Sequence, residues 1–185
     1  MVRAMRTSAA LGLVARLALL SALAACAGAS TSARVGSSSV NVARYGQLLA
    51  MADARRVDTA LVQGMLRSGS RPERAAAALA VGQVHGTALA PTLRALLTDP
   101  DTAVAANAAY ALGLLADTAG VAALAHAVSA PPSVAHNAAW ALGQIGEPAR
   151  SALVAALAPA AAPRDSRVRS ELLLATFKLQ PVPVS

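Results

Sequence analysis

Aromatic side chains are nearly missing from this chain. Its 185 residues include one Trp, two Tyr and one Phe, yet 56% of residues are hydrophobic. Much of that apolar content is alanine. A sheet protein draws on β-branched and aromatic residues, so this composition argues against a sheet core. Alanine is the best helix former and lets helices approach closely, which points to an all-α fold. Cysteine is present once, at Cys26. One cysteine excludes an internal disulfide and any zinc site built on paired cysteines.

Acidic residues are also few, nine against sixteen Lys and Arg, giving a formal net charge of +7. Three of the arginines, Arg3, Arg6 and Arg16, lie in residues 1–25, which hold no acid. Without that segment the balance is 13 basic to 9 acidic residues. Between residues 75 and 149 the one basic side chain is Arg94, against Asp99, Asp101, Asp117 and Glu147. Phosphate contacts need clustered cations, so the pattern speaks against nucleic acid as a partner.

Chemistry-bearing constellations are absent as well. The histidines are His85, His126 and His136, and no two of them stand four residues apart on one helix. None is followed by glutamate. There is no Gly-rich phosphate loop and no nucleophile elbow. The expectation is no metal, no cofactor and no enzymatic activity encoded in these residues.

What is present begins at the N-terminus. Residues 17–25, LALLSALAA, form a short apolar run behind the three arginines. A positive segment, a short apolar core and small residues before a cut describe a secretory signal. The run is too short for a membrane span, which needs about 20 apolar residues. Leu23-Ala24-Ala25-Cys26 resembles the bacterial lipobox. The resemblance implies that residues 1–25 are a lipoprotein signal peptide, removed before Cys26, and that Cys26 carries lipid. Two or three acyl chains would anchor the protein stably to a membrane. Ala27 in the next position would favour the outer membrane, periplasmic side, in a Gram-negative envelope. Residues 26–43 read as the lipidated cysteine and a Ser- and Gly-rich tether, which spans roughly 20–25 Å as a flexible coil.

Residues 44–180 repeat. "AALAVGQV", "AYALGLL" and "AWALGQI" align Gly82, Gly113 and Gly143 at steps of 31 and 30 residues. Val104, Val134 and Val168 align ahead of them, with Phe177 in the fourth glycine slot. A period of this size marks a repeat array. Apolar spacing predicts helix pairs at 58–67 and 71–84, 87–97 and 101–115, 118–128 and 133–145, and 148–158 and 165–179, after a leading helix near 44–53. Asp101 suits an N-cap, and Pro148 suits a first helical turn. Residues 181–185 read as a disordered C-terminus.

"VAANAAYALGLLA" and "VAHNAAWALGQIG" resemble the second helix of HEAT-like repeats of the phycobilin-lyase type. The resemblance implies an all-α, right-handed α-solenoid of about four helix pairs, and is nearly silent on function. The family's arginine after the valine is replaced by Ala105 and Ala135 and is read here as surviving at Arg169, which puts an Arg–Asp ladder between repeats in doubt. In such a stack the second helices line the concave side. Their outward positions are Ala76, Leu79 and Gln83, then Asn107, Tyr110 and Leu114, then Asn137, Trp140 and Gln144, and last Glu171, Leu174 and Lys178.

Two readings of this face stand side by side. Tyr110 and Trp140 either pack between neighbouring second helices or, with Gln83, Asn107, Asn137 and Gln144, line a groove for another protein or peptide. The segment "LLAMADARRVDTALVQGML" also resembles the start of bacterial proteins in which HEAT-like repeats precede a cyclophilin-type peptidyl-prolyl isomerase domain. On that alternative these residues are the non-catalytic portion of a longer enzyme.

Overall fold

The structure is a computed structural model, and it describes residues 41–159 and 161–179. Cys26, the signal segment 1–25, most of the tether 26–43 and the end segment 181–185 lie outside the described residues. Among those described, all regular structure is helical. The leading helix α1 (Val42–Ala54) precedes four pairs: α2 (Thr59–Ser68) with α3 (Arg71–Gln83), α4 (Ala90–Leu96) with α5 (Thr102–Leu114), α6 (Val121–Ala127) with α7 (Pro132–Ile145), and α8 (Arg150–Leu157) with α9 (Ser166–Lys178). The expected all-α solenoid of about four repeats is what forms.

The caps explain where the helices start. Asp101 accepts from the amides of Ala103 and Val104, and Asp165 from those of Arg167 and Val168. These bonds satisfy amides that a helix N-terminus otherwise leaves orphaned. Asn41 caps α1, so that helix begins two residues ahead of the expected start of the folded region. The first helices of the last three repeats each open through a short 3-10 turn, at Thr87–Leu89, Thr118–Gly120 and Glu147–Ala149. Pro148 sits in the last of these turns.

Three residues with positive φ precede those turns: His85 at 55°, Ala116 at 48° and Gly146 at 80°. Each stands three residues after the repeat glycine. A positive-φ residue therefore stands at each reversal of the chain between repeats, and in one case alone is it glycine.

The core is a leucine and alanine stack. Leu93, Leu112, Leu124, Leu142, Leu153 and Leu172 are fully buried, each worth about 1.5–3 kcal/mol of transfer free energy. Val104, Val134 and Val168, the aligned valines, are also buried. The second helices pack on one another far more extensively than the first helices do. Their small residues cause this. A Cβ built on Gly82 would lie 2.7 Å from Ala111 Cα, and one on Gly143 would lie 2.8 Å from Ala175 Cβ. Each glycine thus receives the alanine two positions before the next repeat's glycine slot. The second-helix side is thus the more closely packed side of the row.

In the first repeat Glu73 replaces the aligned valine and is buried. Its carboxylate accepts from the Ser70 amide at 2.7 Å and faces Arg44 of α1 at 3.7 Å. The Ser70 hydrogen bond, more than the Arg44 charge, holds the Glu73 carboxyl below the usual glutamate range. Tyr45 adds a hydroxyl bond to the Pro72 carbonyl at 2.8 Å. With Leu48 and Met51 buried, these contacts seat α1 on α3 as a lid over the first repeat.

Candidate functional site

The second helices α3, α5, α7 and α9 bring the expected face together. Gln83, Gln144, Leu174 and Lys178 are exposed, while Ala76, Leu79, Asn107, Tyr110, Leu114, Asn137, Trp140 and Glu171 are half-buried. The alternation follows from helix geometry. Positions three and seven residues apart share one side, and the opposite side faces the first helices.

The aromatics meet. Tyr110 and Trp140 stack with ring centroids 4.6 Å apart and planes 22° from parallel. Gly113 makes room for this pair, because a Cβ there would lie 2.7 Å from Trp140 Cζ3. Both rings still keep part of their surface in solvent. They join α5 to α7 and also roof the space above the glycine.

The asparagines are engaged within the fold. Asn107 Nδ2 donates to the Ala75 carbonyl, and Asn137 Nδ2 to the Ala106 carbonyl, both at 2.9 Å. The acceptors stand 32 and 31 residues earlier, one repeat back. One of the two Nδ2 hydrogens of each amide is thereby used within the fold. The asparagines form a ladder between repeats and share the face with Gln83, Gln144, the aromatic pair, Leu114 and the α9 residues.

One reading needs correction. Arg169 does follow the aligned Val168, but it is exposed and carries no ion pair among the described residues. It is not the one survivor: Arg74, eight residues before Gly82, fills the same slot in the first repeat. Arg74 donates through Nε and Nη2 to the two oxygens of Asp99 at 3.2 and 3.1 Å, and through Nη1 to the Gly69 carbonyl. One rung of an Arg–Asp ladder is therefore built, between the first and second repeats. Asp99 is poised between two effects. Burial pushes its carboxyl up, and the Arg74 bonds with the Asp101 amide outweigh that and hold it below the usual aspartate range.

Two family models match the chain. One, described as HEAT repeats, covers residues 59–134, and the other, described as PBS lyase HEAT-like repeat, covers residues 134–159. HEAT-type repeats are detected in this chain. Comparison with curated proteins returns no match. The two spans run from α2 to α8, so the HEAT-type repeats coincide with the stacked glycine register. Among the described residues, no helix is long and apolar enough to cross a membrane, and no group of three His, Cys, Asp or Glu side chains is placed to hold a metal.

Proposed function

We propose that this chain is a HEAT-repeat scaffold that binds another protein on its concave, second-helix face and is held at the bacterial envelope by lipid on Cys26. Its work on this reading is binding, with no catalysis of its own. The observation that carries it is the row from Gln83 through Tyr110, Trp140 and Gln144 to Leu174 and Lys178, solvent-accessible on the second helices of four successive repeats. Stacked aromatics that are half-buried offer rigid contact area, which is what interface anchors need. The lipobox sequence supports the anchoring half of the reading.

Site-specific photo-crosslinking in cells tests the binding half. A photoreactive residue at Gln144 should trap a discrete partner, while one at Ala122, exposed on α6, should not. Identical patterns from the two positions would sink the groove. For the anchor, metabolic labelling with an alkyne fatty acid should tag the wild-type protein and leave Cys26→Ser unlabelled.

A further inference from the structure

The Arg74–Asp99 rung has no successor. One repeat later, Ala105 stands in the arginine slot and Ser129 in the aspartate slot. Both partners are gone together. Where the arginine stem would lie, the structure has a cleft of about 570 Å³ with Ala105 and Ser129 in its lining. The same loss recurs at Ala135, beside a smaller cleft of about 330 Å³. Clefts of several hundred cubic ångströms, mostly apolar with a few polar groups, are the usual form of small-ligand sites.

We infer that the larger cleft is a binding site for a compact apolar group bearing one anionic head, such as a carboxylate. Leu97, Ala123, Ala127, Pro131 and Val134 supply the apolar walls. A cation does not suit the site, because the substitution that removed the arginine also removed its counter-charge. Asp99 remains on the rim, but its oxygens are taken by Arg74 and the Asp101 amide. The charged donor on the wall is Arg94. It faces Asp117 at 3.6 Å through Nε, beyond hydrogen-bond distance. His126 lies at the same rim. A guanidinium on the wall of an apolar cleft offers N–H donors in a fork to a carboxylate, and the walls take the body behind it.

Two fluorescent probes separate the parts of this claim. Anilinonaphthalene sulfonate carries an apolar body and one anion, and phenylnaphthylamine is the same body without charge. Wild-type protein should bind both saturably. Ala105→Arg with Ser129→Asp rebuilds the missing rung, and should weaken both probes at least about tenfold while keeping the helical signal. Should that variant fail to fold, Ser129→Trp obstructs the cleft from an exposed rim position. Arg94→Gln should weaken the sulfonate about tenfold and leave phenylnaphthylamine unchanged. Competition by phenylbutyrate points to a free acid as the natural ligand. Competition by a short apolar peptide with a free, but not an amidated, C-terminus points to a chain end. Undiminished probe binding in the filled variants, equal loss of both probes in Arg94→Gln, or displacement by neither competitor overturns the proposal.

Discussion

Asn137 donates its side-chain amide to the backbone carbonyl of Ala106, 2.9 Å away and 31 residues back in the chain. Ala106 is in the middle of α5, so this oxygen belongs to the neighbouring repeat's helical ladder and takes a second bond. Asn137→Ala should cost about 1 kcal/mol, the usual net worth of such a bond. Asn137→Asp should cost more, since a carboxylate cannot donate and would face a carbonyl oxygen at close range. Urea denaturation midpoints check both. Equal stability of wild type and Asn137→Asp would show that the bond does not set repeat spacing.

Gly113 is the tightest point of the stack. A methyl there would meet Trp140 Cζ3 at 2.7 Å, Ala141 Cα at 2.8 Å and Ala141 Cβ at 2.9 Å. Two of these atoms are close to rigid backbone, so the helices must separate. Gly113→Ala should lower stability by about 1–3 kcal/mol despite its gain in helix propensity. Gly46→Ala is the control, because a Cβ on that α1 glycine meets nothing within 4 Å. It should be stabilising by about 0.5–1 kcal/mol. Thermal melts of the two variants should move in opposite directions.

Ala116 adopts φ 48° at the position that Gly146, with φ 80°, occupies one repeat later. A left-handed conformation costs a non-glycine residue roughly 1–2 kcal/mol, part of which glycine returns as backbone entropy. Ala116→Gly should therefore raise stability by about 0.5 kcal/mol, and Gly146→Ala should lower it by about 1 kcal/mol. A reversed order of the two melting temperatures would mean that the position is not strained.

The fold was legible because its cause is periodic. Gly82, Gly113 and Gly143 mark the contact where helices touch, and a repeated contact needs a repeated small residue. Helix boundaries followed from side chains with local partners, such as Asp101. The second-helix face was legible for the same reason, as an i, i+3, i+7 pattern. The Asn107 and Asn137 bonds were hidden because their acceptors are backbone oxygens, which leave no trace in sequence. Arg74 was missed because Glu73 replaces the valine that frames the arginine elsewhere. The cleft at Ala105 comes from two absences, Arg and Asp, and shows only when the repeats are superposed on the Arg74–Asp99 rung.

Tyr110 and Trp140 decide how much of the aromatic surface is structural. Stacked pairs contribute about 0.5–1.5 kcal/mol beyond the area they bury. A double-mutant cycle with Tyr110→Leu and Trp140→Leu should give a coupling energy in that range. Circular dichroism must follow the unfolding, since Trp140 is the one tryptophan and its fluorescence is lost in two of the variants. A coupling near zero would mean that the rings touch without stabilising the stack, and would leave partner binding as the main use of both.

Arg74 makes the stability of the first interface depend on pH. The Asp99 carboxyl titrates below its unfolded value, so its contribution is fully present above the ordinary aspartate range, near pH 4, and is lost as pH falls through the lower folded value. Arg74→Met keeps the aliphatic stem and removes the charge and three hydrogen bonds. Burial, the largest single effect on Asp99, is then opposed by the Asp101 amide alone, and the carboxyl rises above the unfolded value. The sign of the linkage reverses: the variant is penalised at neutral pH, and acidification relieves the penalty by protonating the buried group. The gap between wild type and variant should be about 2 kcal/mol at pH 7 and should close below about pH 4. Urea midpoints at pH 7, 5 and 3 read this directly. A gap that stays constant over that range would mean that Arg74 stabilises the interface by packing its stem, with the ion pair contributing nothing.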